Sequence, residues 1–291
     1  MAEPKSKKES TKSSPKVKYD DKTEAAIKEL RKMLSETQYS KRGKDKAELH
    51  RFLVAREFNV KKSYDMFIEY LQWMDTYKPH KIKLSQVQSE YEKDKLLLLP
   101  HDKQGRPVLL LLPALHTPGQ APMEDIMKSF HYVIQQGIKM MPPGQHKFLI
   151  IYDRKGYARK NFDKKMLGEI TQSFEKYYPE RVGEILVLRT NWLFWALFKL
   201  ASLVMPAATV KKISILDSEK DLLPYFDEEN LPDIWGGKHQ LKSDVGRALF
   251  KMAAYEDPDE ENREEIEEEI AGELRKSMEV KKKKKTKKAK S

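Results

Sequence analysis

The chain has 291 residues, 35% of them charged, with 56 Lys and Arg against 45 Asp and Glu and no cysteine. That length closes one large or two modest cores; the absence of cysteine excludes disulfides, thiolate nucleophiles and cysteine metal sites and suits a reducing compartment, the cytosol. A net charge of +11 invites nucleic acid or an anionic membrane as partner, and where the charge sits decides what it means.

Residues 1–19 form a polar run whose six Lys outweigh Glu3 and Glu9 by +4. A run without an apolar h-region supports neither secretion nor a signal anchor and reads as a disordered basic tail. From 20 to 80 the pattern is helical: "KTEAAIKELRKML", "KAELHRFLVAREF" and "VKKSYDMFIEYLQWMDTY". In the third, Tyr64, Phe67, Ile68, Leu71 and Met74 recur at steps of three and four, an apolar stripe. Asn59 to Ser63 supply polar start signals and Pro79 closes the segment, which makes a small helical module.

From 88 to 240 the texture changes. "KLLLLP", "PVLLLLPAL", "KFLIIYD", "EILVL" and "KKISILD" have strand length and the Leu, Ile and Val content of strands buried on both faces. Helical segments alternate with them, which predicts an α/β fold with a mostly parallel sheet flanked by helices. The turn chemistry of "DKQGRP" predicts a hairpin joining the first two strands.

One stretch of this region stands apart. "NWLFWALFKLASLVMP" holds two of the four tryptophans and a single charge, Lys199. As a helix over Trp192–Met205 it spans about 21 Å, short of a hydrocarbon core of about 30 Å, so it is not a transmembrane segment. Its apolar residues ring the whole helix. Periodicity alone fits a central core helix. Two indoles and two phenylalanines beside a lone Lys fit a segment that meets a membrane interface. A helix that covers an apolar cavity in solution and swings into a bilayer needs this composition.

Residues 241–271 include the acidic "EDPDEENREEIEEEI", whose charge order suits a solvated helix. Residues 272–291 hold Arg275, Lys276 and eight further Lys against Glu273 and Glu279, giving +8. Removing both tails leaves a body of −1. A near-neutral body argues against nucleic acid as the main partner, and the Lys-rich tail suits an anionic membrane surface, a nuclear-import signal or a protein partner. No P-loop, G-x-S-x-G elbow, G-x-G-x-x-G or H-E-x-x-H is present, and the seven His are isolated. Neither catalysis nor a metal site is expected, and Asp153 and Asp163 read as turn and cap residues.

Several segments together resemble one family. "LHRFLVAREFNVKKSYDMFIEYLQWM", "DKQGRPV", "FLIIYDRKGYARKNFD", "YYPERVGEILVL", "TVKKISIL" and "LPDIWGGK" follow in the order shown by CRAL-TRIO lipid-binding domains, nearest to the Sec-fourteen-like phosphatidylinositol transfer branch. The resemblance implies a hydrophobic lipid pocket under a gate helix, with Trp192, Phe194, Trp195, Phe198 and Lys199 on that helix. It places a phosphatidylinositol headgroup site on Arg56, Glu180, Thr209 and Lys212. Chemically, Thr209 and Lys212 offer a hydroxyl and a cation to a phosphodiester, and Glu180 an acceptor for hydroxyls. Glu57 stands where the family commonly has a basic residue. Ala158 and Lys160 stand where some members contact phosphocholine. The implied protein is a monomeric, cytoplasmic, peripherally membrane-associated carrier, with a bound phospholipid as ligand and no other cofactor; the alternatives are a lipid-sensing membrane-contact or signalling adaptor and a carrier of another hydrophobic ligand such as a sterol.

Overall fold

The computed structural model describes residues 18–251 and 259–288; the expected disordered tail lies almost wholly outside them, as does part of the acidic segment. Three capped helices open the chain. Asp20 accepts from Thr23 N (2.8 Å) at the start of α1 (Asp21–Ser35), and Asp45 from Ala47 N (2.8 Å) at α2 (Lys46–Val54). Asn59 accepts from Lys62 N (3.0 Å) at α3 (Val60–Thr76). Each cap satisfies an amide that the first turn leaves without a partner. Leu30, Leu49, Phe52 and Phe67 form the module's own core. The sequence pattern carried the second helix through Phe58, whereas α2 stops at Val54. Glu57 and Phe58 take φ of 53° and 59°, a left-handed turn that ends the helix and leaves Arg56 beside its C-terminus.

After a four-residue α4 (Gln88–Tyr91) come β1 (Leu96–His101) and β2 (Pro107–Leu111), an antiparallel hairpin as "DKQGRP" implied. Asp102 builds the turn: Oδ1 accepts from the amides of Gln104 and Arg106, and Oδ2 from Arg106 Nε (2.7 Å). Then follow α5 (Met123–Met140), β3 (Phe148–Asp153), α6 (Lys164–Tyr177), β4 (Val182–Leu188), α7 (Trp192–Ala201), α8 (Ala207–Val210) and β5 (Ile213–Leu216). The sheet runs in the order β1-β2-β3-β4-β5, parallel from β2 onward. The chain closes with α9 (Asp244–Lys251) and α10 (Arg263–Lys288).

Alternate strand residues serve two cores, which is why the strands read as continuous apolar runs. Val108, Leu110, Leu149, Ile151 and Leu186 pack against the segment after β5 through Leu222, Trp235 and Leu249. Leu109, Phe148, Ile150 and Val182 face α5 and α6. The helix α5 lies very close to the sheet: a Cβ on Gly137 would stand 2.5 Å from a ring carbon of Phe148, so only glycine allows the approach. The helical module docks on α5 and α6 through Trp73, stacked on Tyr177 at 4.0 Å and set against His131 at 5.2 Å.

The helix expected over Trp192–Met205 ends at Ala201. Ser202 Oγ bonds back to Lys199 O (2.8 Å), and Pro206, which has no amide hydrogen to donate, opens the short α8. The acidic segment and the Lys-rich run, distinct by composition, share one helix, α10, which lies across α7.

Candidate functional site

A cavity of about 450 Å³ opens between the sheet face carrying Leu109, Ile150 and Ile185 and the helices α5, α6 and α7. Its walls are mainly aliphatic and aromatic: Phe130 from α5, Ile170 and Phe174 from α6, Phe194, Leu197 and Phe198 from α7. A concave, mostly apolar site with few polar groups is the usual form of a small-molecule pocket.

All four residues of the implied headgroup site line this cavity. Lys212, on the last turn before β5, donates Nζ to Val182 O (2.9 Å) and stands 3.9 Å from a Glu180 carboxylate oxygen. Thr209 lies one turn back, its carbonyl accepting from Lys212 N (3.0 Å). Glu180 has φ of 57°, a conformation uncommon outside glycine, at the bend between α6 and β4. Arg56 enters from the helical module, half-buried, with Nη1 on Ala55 O (2.9 Å). Three separate stretches of chain thus bring two cations, a hydroxyl and a carboxylate to one apolar chamber.

The five residues placed on the gate helix divide. Phe194 and Phe198 line the cavity and stack on each other at 5.4 Å. Trp195 is 51% exposed and Lys199 is exposed, and neither lines the cavity. Trp192 packs toward α10, with the Arg263 guanidinium 5.2 Å from its ring centroid. Asn191 caps the helix, accepting from Phe194 N (3.0 Å) and from Arg154 Nη1 (2.7 Å).

A second polar group lines the cavity that sequence reasoning did not find: Glu90, Lys95, His116, Asn161 and Asp163. His116 is 1% exposed, and its Nε2 meets Asp163 Oδ2 at 3.0 Å. Burial, opposed by the Asp163 bond, lowers the pKa of its imidazole, which is therefore neutral. The carboxylate can only accept, so Nε2 carries the proton and Nδ1 is an acceptor without a hydrogen-bond partner among the described residues. Asp163 also caps α6 through Met166 N (2.8 Å), and Asp153 holds Lys155 N (3.0 Å) and pairs with Arg189; both serve a cap or a turn, as read from sequence. The only trace of the His116 group in the sequence is an isolated histidine after a Pro-Ala-Leu turn.

Among the described residues no helix is long and apolar enough to cross a membrane.

The CRAL/TRIO domain model matches residues 91–237, and the CRAL/TRIO N-terminal domain model matches residues 26–69. The chain is 29% identical over 259 residues to a SEC14 cytosolic factor of Eremothecium gossypii, covering 81% of this chain and 83% of that one. It is 22% identical over 208 residues to a protein of the same organism named phosphatidylinositol transfer protein CSR1, covering 67% and 48%. The crystal structure of Sfh5 superposes with a TM-score of 0.62 at 15% identity, over 88% of this chain and all of that one, a likeness of fold. The chain spans less than half the length of several curated relatives that it matches. With both domain models matched in order, the chain belongs to the CRAL/TRIO family.

Proposed function

We propose that this chain is a phospholipid carrier that holds one lipid in the cavity and exchanges it with membranes through movement of α7. The observation that carries the reading is the gathering of Arg56, Glu180, Thr209 and Lys212 at a chamber whose walls are mainly apolar. Acyl chains leave a bilayer only if the chamber replaces their burial, worth about 0.8 kcal/mol per CH₂, and aromatic and aliphatic walls supply it. A phosphodiester is held by cations, and Lys212, set 3.9 Å from Glu180, is placed to bind it. Glu180 then accepts from headgroup hydroxyls, which favours an inositol headgroup, in keeping with the name of one relative. The chain acts by binding and release, with no bond made or broken.

The first test is the lipid that co-purifies with the full chain from a eukaryotic host, identified by native mass spectrometry and organic extraction. Stoichiometric phosphatidylinositol is expected. Lys212→Ala is expected to lower phosphatidylinositol transfer about tenfold or more, the loss of one hydrogen bond to a charged group, with little change in stability. Equal transfer by variant and parent would overturn the headgroup assignment. The His116 group favours a second reading, a carrier for an apolar ligand with its own hydrogen-bond donor such as a sterol; a stoichiometric sterol in the extract would replace the first reading with this one.

A further inference from the structure

One outer flank of α7 is covered while Trp195 and Lys199 stay exposed beside it, and the cover has two chemically opposed halves. Over its first twelve residues α10 sets Ile266, Ile270 and Leu274, spaced four apart, against Leu193, Leu200 and Leu203 of the α7 segment. The rim is ionic: Arg159 Nη2 reaches Glu269 (2.7 Å) and Glu273 (3.1 Å), and Lys164 reaches Glu273 (3.8 Å). On the opposite side of this half Glu264, Glu265, Glu267 and Glu268 are exposed. With α10 in place the surface over this flank of α7 is therefore acidic rather than apolar, and it is repelled by an anionic bilayer. After Leu274 the same helix continues about 21 Å through Lys281–Lys285, Lys287 and Lys288, so its far half is attracted to that bilayer.

One detail marks the covered state as incompletely satisfied. Trp192 Nε1 is buried with no hydrogen-bond partner among the described residues, a costly arrangement for an indole N–H. At a membrane interface the same ring has an apolar bed and wet acceptors for its N–H.

We propose that α10 is a membrane-responsive cover for α7: an anionic bilayer binds its Lys-rich half, lifts Ile266, Ile270 and Leu274 off α7, and takes their place on Trp192 and its neighbours. This rests on the reading of α7 as the mobile wall of the cavity. Because one continuous helix joins the two halves, binding at the basic end competes with packing at the apolar end. The device confines exposure of Trp192, Leu193 and Leu200 to the surface where they are used, and keeps them covered in solution.

The experiment is amide hydrogen exchange over residues 263–274 of the full chain, free, with phosphatidylcholine vesicles, and with phosphatidylserine-containing vesicles. Exchange is expected to rise about tenfold or more on the anionic vesicles alone, and the rise to vanish when Lys281–Lys285 are changed to Gln. In Arg159→Glu the rim repels Glu269 and Glu273, so exchange is expected to rise without vesicles; adding Glu269→Arg and Glu273→Arg restores protection. Unchanged exchange in a protein that co-sediments with the anionic vesicles, or in folded Arg159→Glu, would overturn the proposal. An α10 that opens on anionic vesicles in a protein that carries no lipid supports the cover and removes the carrier reading instead.

Discussion

Two helices wall the cavity, and they are held by different physics. The inner wall, α5, has one apolar stripe, lies against the sheet at the Gly137–Phe148 approach, and is backed by a dense aromatic set of Trp73, His131, Tyr177 and Tyr178. The other wall, α7, is apolar on both sides; one face meets the cavity, and its outer flank beside the exposed Trp195 meets a single helix rimmed by exposed ion pairs. Close packing against a sheet admits no partial displacement without global loss. Exposed ion pairs contribute little each, which leaves the α7–α10 contact open to competition. The difference teaches which wall of a binding chamber can move: the one whose neighbours are themselves replaceable.

Changes on the two walls should therefore be read by different instruments. The largest effect is expected from Gly137→Val, which drives a side chain into Phe148 and should cost about 3 kcal/mol of global stability, measured by urea unfolding. A loss below about 1 kcal/mol would show that α5 can move and would break the comparison.

The next concerns acid. Burial lowers the His131 pKa from 6.5 to about 4, so the folded chain binds fewer protons there than the unfolded chain. Stability from this group is full above about pH 6.5 and falls as the pH drops toward 4, by about 2 to 3 kcal/mol in all. His131→Phe should flatten that part of the pH dependence of the melting temperature. A variant with the parent's slope would remove His131 as its source.

Smaller and local is the expected effect of Ile270→Ala on α10. About 2 kcal/mol of packing should be lost as faster exchange over 263–274, with the global unfolding midpoint nearly unchanged. A global shift equal to that of Gly137→Val would mean that α10 and α5 belong to one cooperative unit. The smallest effect on stability, below about 0.5 kcal/mol, is expected for Trp195→Ala, because that ring is 51% exposed. Its effect should appear in vesicle binding, read by co-sedimentation, and an unchanged vesicle affinity would remove Trp195 from the membrane contact.

Much of the fold was legible along the chain because it rests on local chemistry. The polar run from Asn59 announces the start of the third helix, "DKQGRP" announces the hairpin, and the apolar runs announce strands buried on both faces. The positions of Arg56, Glu180, Thr209 and Lys212 came from ordered motifs, and their common cavity could be seen only once the chain was folded. The end of α2 at Val54 was not legible, since the left-handed turn at Glu57 and Phe58 is carried by residues with no marked preference for it. The partnership of His116 with Asp163 joins residues 47 apart and leaves no periodic trace.

By itself the sequence determined which segments become helices and strands, that the strands are buried on both faces, and that the stretch from Asn191 to Pro206 is too short to span a bilayer. Those properties depend on capping, periodicity and length, each readable within a few residues. Only the tertiary structure decided what the two sides of α7 meet, a cavity on one and α10 on the other. An all-round apolar helix carries no direction in its own pattern, so its sides acquire different surroundings only from what the rest of the chain packs against them.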